Sequence, residues 1–119
     1  MIIIKKVYIV KTTREFDDII KNGKCLKNDC FVIHYKDNNL PYDRFGISVS
    51  KKLGNAVFRN KYKRRIRTII DNYKKKYLNS RDYIIILRKE GIKLNFNELN
   101  QKYLDIMPTE GKIKNEEQK

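Results

Sequence analysis

The residues best suited to chemistry form a cluster of positive charge near the middle of the chain. Between residues 51 and 67 there are eight Lys and Arg side chains and no acidic one. They are Lys51, Lys52, Arg59, Lys61, Lys63, Arg64, Arg65 and Arg67. Lys and Arg neutralise phosphates and release counterions, and Arg adds bidentate contacts and stacking on bases. The cluster therefore predicts a surface that binds nucleic acid.

The spacing of these charges argues against an ordinary solvated helix surface. Opposite charges four residues apart stabilise a helix, whereas like charges at that distance destabilise it. Arg59, Lys63 and Arg67 stand at successive four-residue steps with no Asp or Glu between them. We expect an external polyanion to offset this repulsion. Asn55 and Asn60, in the same segment, can hydrogen-bond bases or 2′-hydroxyl groups, which favours RNA.

The composition of the whole chain supports the same kind of partner. Its 119 residues include 28 Lys and Arg against 14 Asp and Glu, a formal net charge of +14 that favours a polyanion. Apolar runs such as Ile2–Ile4 and Tyr83–Leu87 are too short to span a bilayer. Lys5 and Lys6 interrupt any signal-peptide core. The sequence predicts a cytoplasmic protein that does not bind a membrane.

The chain offers little chemistry of its own. Cys25, Cys30 and His34 are its only Cys and His residues, and a structural zinc site needs a fourth ligand. No paired carboxylates form a recognisable catalytic group. The sequence therefore predicts no bound metal, no cofactor and no catalytic residue on this chain.

Local patterns predict the elements before the basic cluster. A first helix begins at the cap Thr12 and ends at Asn22-Gly23. Strands follow at Cys30–Tyr35 and Arg44–Ser50, and we expect these two to pair as an antiparallel hairpin.

The basic cluster itself lies on a loop and a long helix, predicted from Val57 to about Leu78 with Asn55 as its cap. Gly54 precedes the helix start, where a phosphate can approach backbone N–H groups. Apolar residues at three- and four-residue steps indicate that the helix packs on a core. They are Tyr62, Ile66, Ile69, Ile70, Tyr73 and Tyr77.

Two further elements follow the long helix. Asp82–Leu87 is almost continuously apolar, which predicts a central strand, and it can pair in parallel with Arg44–Ser50. A last helix begins after Asn95 or Asn97, with Leu99, Tyr103, Leu104 and Met107 as its apolar residues. We expect one domain over residues 1–107 and a charged, disordered tail over 108–119.

The segment from Ser48 to Arg67 closely resembles the signature of bacterial ribonuclease P proteins. That family carries Lys-Lys-x-Gly-Asn-Ala-Val-x-Arg-Asn-x-x-Lys-Arg-x-x-Arg on a loop and a long helix, and residues 51–67 match every specified position. Similarity in the first helix and in the strand near residues 82–88 extends the resemblance over residues 12–105.

The resemblance implies an α+β two-layer sandwich around a mostly antiparallel four-stranded sheet, a fold shared with the second domain of a small-subunit ribosomal protein. It also implies a short strand near Cys25–Lys27. The βαβ crossover would be left-handed, against the usual right-handed preference.

The resemblance further implies a function. A ribonuclease P protein subunit binds the catalytic RNA and the 5′ leader of precursor tRNA, and promotes endonucleolytic removal of that leader. Hydrolysis would occur on the RNA with magnesium ions that the RNA requires, and the protein alone would be a monomer.

The motif carries the family's contacts onto particular positions. The set implied to contact RNA is Lys51, Lys52, Gly54, Asn55, Arg59, Asn60, Lys63, Arg64 and Arg67. The resemblance also implies a cleft between the sheet and the long helix that holds the leader. It would include Phe16, Ile20 and His34, where the family often has aromatic residues. Ile20 departs from that pattern because it cannot stack on a base, and His34 offers only a smaller ring.

Three other functions compete with this interpretation. A ribosomal or other structural RNA-binding protein would show the same charge and a similar fold. A DNA-binding regulator would lay the long helix in the major groove, although no compact pair of recognition helices is evident. A protein-based nuclease would need a catalytic cluster that the sequence lacks.

Overall fold

The computed structural model describes residues 13–107 and 112–113, which contain three helices and six strands. The helices are α1 (Thr13–Asn22), α2 (Ala56–Lys74) and α3 (Phe96–Ile106). The strands are β1 (Lys24–Lys27), β2 (Phe31–Asp37), β3 (Arg44–Ser48), β4 (Tyr77–Leu78), β5 (Arg81–Leu87) and β6 (Lys112–Ile113). Short 3-10 turns at Lys51–Leu53 and Lys89–Lys93 precede α2 and α3. The predicted helix cap Thr12 lies outside the described residues.

The main sheet has the order β1-β2-β5-β3, with β5 inside it. β5 runs antiparallel to β2 and parallel to β3, so the predicted parallel pairing is confirmed. The predicted hairpin between Cys30–Tyr35 and Arg44–Ser50 is wrong, because β5 lies between these strands. Side chains on both faces of β5 are buried. This is expected for a strand in the interior of a sheet and not for one at its edge. β1, which the resemblance implied, is confirmed.

Helices cover both faces of this sheet. Alternate side chains of β5, among them Tyr83 and Ile85, join the main core with α2 and α3. Ile84 points to the other face and packs with Ile19 of α1. The predicted α+β sandwich is confirmed, and α1 adds cover to the face away from α2. The left hand of the β3–α2–β5 crossover stays a prediction.

The long helix ends four residues before its predicted end at Leu78. Tyr77 and Leu78 leave α2 and pair with Lys112–Ile113, where the sequence predicted only a disordered tail. The Tyr77 ring still stacks on Tyr73, with centroids 5.0 Å apart, which explains why the helical spacing continued in the sequence. The remainder of the tail lies outside the described residues, and the domain boundary at residue 107 stays a prediction.

A buried carboxylate organises the turn from β4 into β5. Asp43 accepts hydrogen bonds from the backbone N–H groups of Asn79 and Arg81, the latter at 2.8 Å. The Asn79 side-chain amide in turn donates to the hydroxyls of Tyr73 and Tyr83, both at 2.9 Å. This network joins the end of α2 to the central strand, and it stops the helix where the chain must return to the sheet.

Because three tyrosines are buried, we expect the fold to lose stability in alkali. Burial raises the pKa of Tyr73 to about 12, and it also raises the pKa of Tyr83 and of Tyr103 well above the ordinary value. An unfolded tyrosine ionises near pH 10, so their contribution is complete below about pH 10 and is lost as the pH rises above it. We expect the midpoint of thermal unfolding to fall steeply between about pH 10 and pH 11.

Tyr103→Phe provides the control for this prediction. The Tyr103 hydroxyl is buried and has no hydrogen-bond partner in the described part of the chain, so its removal should not destabilise the protein at pH 7. The variant should also lose less stability at pH 10.5 than the native chain. Tyr83→Phe should destabilise the fold at pH 7, because Asn79 loses an acceptor. Equal alkaline losses in the native chain and Tyr103→Phe would contradict this assignment.

Candidate nucleic-acid interface

The loop before α2 is held in place by its own polar side chains. The Ser50 hydroxyl accepts a hydrogen bond from Lys52 N at 3.1 Å, which closes the 3-10 turn. The Asn55 carboxamide oxygen accepts from Phe58 N at 2.9 Å and caps α2 as predicted. The Asn55 NH₂ group remains available to a partner. The loop therefore presents Lys51 and Lys52 from a hydrogen-bonded turn at the start of α2.

Gly54 has a packing role that the sequence did not predict. A Cβ atom at this position would lie 2.5 Å from the Phe58 ring, so only glycine lets that ring fold back against the loop. The Gly54 N–H donates to Lys51 O at 3.3 Å, which closes the turn rather than leaving this group for a phosphate. Phe58 packs in turn on Tyr62, with ring centroids 4.8 Å apart.

Arg59, Lys63 and Arg67 form one basic side of α2, called here the basic ridge. Successive residues of an α-helix turn by about 100°, so these three lie about 20°, 60° and 100° from the buried Ile66 in one direction. Arg59 and Lys63 are half-buried at the base of the ridge, and Arg67 is exposed. The Arg59 Nε is buried and has no hydrogen-bond partner among the described residues.

The other residues implied to contact RNA lie around the ridge and above it. Lys51, Lys52, Asn55, Asn60 and Arg64 are all exposed. The structure thus brings the predicted RNA-contacting residues together on one loop and on the first three turns of α2.

The cations of this surface differ in charge pairing from several other basic residues of the described chain. Lys36 pairs with Asp18, Lys93 with Glu90, and Lys102 with Asp29. Between residues 51 and 67, by contrast, none of the eight cations forms an ion pair with a carboxylate of the described chain. The sequence predicted this isolation, and the three-dimensional contacts supply no hidden acidic partner.

Asp71 is the acidic residue of α2, and it does not neutralise the ridge by an ion pair. Its side chain is buried, its Oδ1 atom has no hydrogen-bond partner in the described structure, and burial raises the pKa of this carboxyl. Nearby positive charges, Arg67 among them, act in the opposite direction on that pKa. Asp71 and Arg67 therefore interact through space without a salt bridge between them.

Phe16 and Ile20 lie on α1, and His34 lies on the face of the sheet that α1 crosses. The long helix packs on the other face, so the implied position of the cleft between the sheet and the long helix is wrong. The Phe16 ring sits over Gly46, where an added Cβ atom would lie 2.6 Å from the ring. His34 is half-buried, and strand register places it in one row with Ile84 and Gly46. Ile20, one turn after Phe16, keeps 42% of its surface exposed. Phe16 and His34 thus lie on the same side of the sheet, and the exposed Ile20 follows Phe16 on α1.

A partly buried ion cluster fixes α1 over this face, and little in the sequence indicates it. The Arg44 guanidinium donates to both carboxylate oxygens of Asp82, from Nε at 2.8 Å and from Nη2 at 2.6 Å. Its Nη1 atom reaches Glu15 of α1 at 3.2 Å. The Asn38 amide also donates to Asp82 at 2.8 Å. A charged residue at the start of an apolar strand, Asp82, was the available signal.

The zinc trio considered from the sequence is not assembled. Cys25 is exposed on β1, whereas Cys30 is buried in the main core. Across residues 13–107 and 112–113, no three His, Cys, Asp or Glu side chains are grouped to hold a metal ion. None of the described helices combines the length and the apolar character that crossing a membrane requires.

Comparison with known proteins gives a consistent result. A family model described as Ribonuclease P matches residues 4–109. The ribonuclease P protein component of Mycoplasma mycoides subsp. mycoides SC is 43% identical over 104 residues, which cover 87% of this chain and 95% of the relative. That of Streptococcus agalactiae serotype III is 40% identical over 109 residues, covering 92% and 99%.

Solved structures agree with the sequence relatives. The RNase P protein of Staphylococcus aureus matches with a TM-score of 0.78 at 36% identity, covering 85% of this chain and 93% of that one. The RNase P protein of Thermotoga maritima matches with a TM-score of 0.76 at 34% identity, covering 82% and 92%. The signature on the loop and α2, the fold and these relatives lead to one conclusion. The chain belongs to the ribonuclease P protein family, and its role is in tRNA processing.

Proposed function

We propose that the chain is the protein subunit of a bacterial ribonuclease P and binds the catalytic RNA through the loop and α2. The observation that carries this proposal is the set of eight cations without carboxylate partners on one rigid loop and helix. Catalytic RNA and precursor tRNA are both polyanions, and they repel each other at low ionic strength. A bound protein of net charge +14 lowers that repulsion, which reduces the magnesium concentration needed to bring them together.

In this proposal the chain supplies no catalytic residue. The RNA holds the magnesium ions and performs the hydrolysis, whereas the protein positions its two RNA partners. The chain acts as a monomer in the cytoplasm. Its α2 surface contacts the catalytic RNA, and the face beside α1 holds the 5′ leader.

A magnesium titration of precursor tRNA cleavage tests the subunit role. A bacterial ribonuclease P RNA is assayed with and without the native chain. We expect the chain to move half-maximal cleavage to a lower magnesium concentration. A chain that binds the RNA tightly but leaves the titration unchanged would instead be a structural RNA-binding protein of the ribosomal kind.

Phe16→Ala tests the leader cleft. Stacking of one base on an aromatic ring contributes about 1–3 kcal/mol, so we expect affinity for precursor tRNA to fall by about 10-fold. Affinity for mature tRNA, which has no leader, should not change. The measurement is the equilibrium dissociation constant of the assembled ribonucleoprotein for each RNA.

Ile20→Phe provides a test in the opposite direction. Ile20 is partly exposed beside Phe16, so an added ring there should tighten binding of precursor tRNA alone. An equal loss for precursor and mature tRNA in Phe16→Ala, at unchanged thermal stability, would contradict the placement of the leader on this face.

A further inference from the structure

A second basic side of α2 faces away from the ridge. Lys61 and Arg65 lie about 140° and 100° from Ile66, in the direction opposite to Lys63 and Arg67. A helix with its side chains is about 10–12 Å across. Lys61 and Arg65 therefore point away from an RNA strand that lies against the ridge. The two sides flank the buried stripe of α2 to the left and to the right.

This second side forms part of a concave surface between α2 and the start of α3. The hollow has a volume of about 470 Å³ and is open to solvent. Its lining consists of Lys61, Arg64, Arg65, Thr68 and Phe96. Three cations and one aromatic ring therefore surround a single shallow depression, and no carboxylate lines it.

Contacts within the protein restrict the orientation of Arg65, one of the side chains that line the hollow. The Arg65 guanidinium lies over the Tyr62 ring, 5.0 Å from its centroid, which limits the orientations of this long side chain. Tyr62 is itself fixed, because its hydroxyl donates to Ile92 O at 3.0 Å. The nearby Glu98 carboxylate accepts from Asn95 N at 3.0 Å in the capping box of α3, so it is engaged at its own helix start.

The family signature specifies one of the three cations of the hollow, Arg64, and leaves the other two open. Lys61 and Arg65 fall at positions that the signature leaves open, whereas Arg59, Lys63, Arg64 and Arg67 fall at specified ones. The unpaired charge at Lys61 and Arg65 is therefore a property of this sequence beyond the shared motif.

We propose that α2 is held between two segments of RNA, one against the basic ridge and one in the hollow formed by Lys61, Arg64, Arg65 and Phe96. This inference rests on the proposed function, because it gives the same RNA-binding subunit a second contact surface. Phosphates occupy the three cations, and a base or sugar packs on Phe96. The recognition is of the backbone and carries little sequence preference, since Lys and Arg contacts to phosphate dominate it.

Paired double variants test the two sides separately. Lys61→Ala/Arg65→Ala is compared with Lys63→Ala/Arg67→Ala, and Lys21→Ala/Lys76→Ala removes two exposed charges elsewhere as the control. RNA affinity is measured across salt concentrations with the full-length chain. Each phosphate contact contributes about 0.7–0.9 to the slope of log K against log salt. We expect both α2 variants to lower that slope by about 1.5 and affinity at 0.1 M salt by about 30-fold, with little change in the control.

Footprinting distinguishes two RNA segments from one. In hydroxyl-radical protection of the catalytic RNA, the two α2 variants should each lose protection at a different set of nucleotides. Loss of the same nucleotides by both variants would overturn the two-sided arrangement. If Lys61→Ala/Arg65→Ala behaves like the control while the ridge variant loses affinity, the second surface is refuted and the proposed function stands. If neither variant loses affinity, the proposed function fails with it.

Lys61→Glu guards against a folding artefact. Arg65 packs on Tyr62, so its removal can disturb the helix, whereas Lys61 is exposed. We expect this single charge reversal to lower RNA affinity by at least as much as the double alanine variant, at an unchanged unfolding temperature. Native affinity in Lys61→Glu would refute the hollow as an RNA site. If RNA affinity is native in Lys61→Glu but an acidic peptide binds the native chain and not this variant, the hollow is a site for a protein partner instead.

Discussion

Simultaneous replacement of Arg59, Lys63 and Arg67 by alanine is expected to lower affinity for the catalytic RNA by about 100- to 1,000-fold at 0.1 M salt. Counterion release contributes about 0.7–0.9 of a power of ten per phosphate contact under those conditions, and three contacts are lost. The slope of log K against log salt should fall by about 2–3 for the same reason. Binding isotherms between 0.05 and about 0.5 M salt measure both quantities.

A charge-matched variant separates the ridge from net charge. Lys21→Ala/Lys24→Ala/Lys76→Ala also removes three positive charges, and all three residues are exposed away from the ridge. We expect it to retain affinity within a few-fold of the native chain. Equal losses in the two triple variants would mean that overall charge, and not the ridge, binds the RNA. Thermal unfolding of both variants is needed, because Arg59 is half-buried on the flank of the core.

Arg44→Ala is expected to cause a large loss of stability. Asp82 is almost fully buried, and Arg44 supplies two of its hydrogen bonds. Removal of one partner leaves a buried charge with only the Asn38 amide to compensate it, which costs about 3 kcal/mol. The measurement is the free energy of unfolding in urea.

Loss of the Arg44 contacts should also weaken RNA binding at the leader cleft. Arg44 holds Glu15, and α1 carries Phe16 one residue later. We therefore expect Arg44→Ala to weaken binding of precursor tRNA more than binding of mature tRNA, at a temperature where the variant is still folded. Binding to the catalytic RNA through α2 should be nearly unchanged.

Lys36→Ala is the matched control for burial. The Lys36–Asp18 pair also joins α1 to the sheet and is 2.7 Å long, close to the 2.6 Å of Arg44–Asp82. Its side chains are 41% and 46% exposed, whereas those of Arg44 and Asp82 are 22% and 11% exposed. Exposed ion pairs contribute little to stability, so this variant should unfold almost like the native chain. Similar losses in Lys36→Ala and Arg44→Ala would show that burial does not decide the effect.

Features encoded locally were predictable from the sequence. The cap at Asn55, the buried stripe from Tyr62 to Tyr73 and the unpaired cations all follow from neighbours within one or two turns of helix. The same holds for Asn95, which caps α3 in a capping box. Local spacing determines each of these features, and the structure confirms them.

Features that depend on distant segments were not predictable in the same way. The alternation in β2 and β3 is equally compatible with a hairpin and with insertion of β5, and only the whole sheet distinguishes them. The anchoring of α1 needs Arg44 and Asp82, which are far apart in sequence but adjacent across β3 and β5. The hollow beside Phe96 likewise combines α2 with α3, so no single segment of sequence indicates it.

Cleavage of a precursor tRNA by a bacterial ribonuclease P RNA at low magnesium tests the central claim most directly. Four reactions are compared: the RNA with the native chain, with the Arg59/Lys63/Arg67 alanine variant, with the Lys21/Lys24/Lys76 alanine variant, and the native chain without RNA. We expect strong stimulation by the native chain and the charge-matched variant, little by the ridge variant, and no cleavage by protein alone. Full stimulation by the folded ridge variant would contradict the assignment of the loop and α2 as the surface that binds the catalytic RNA.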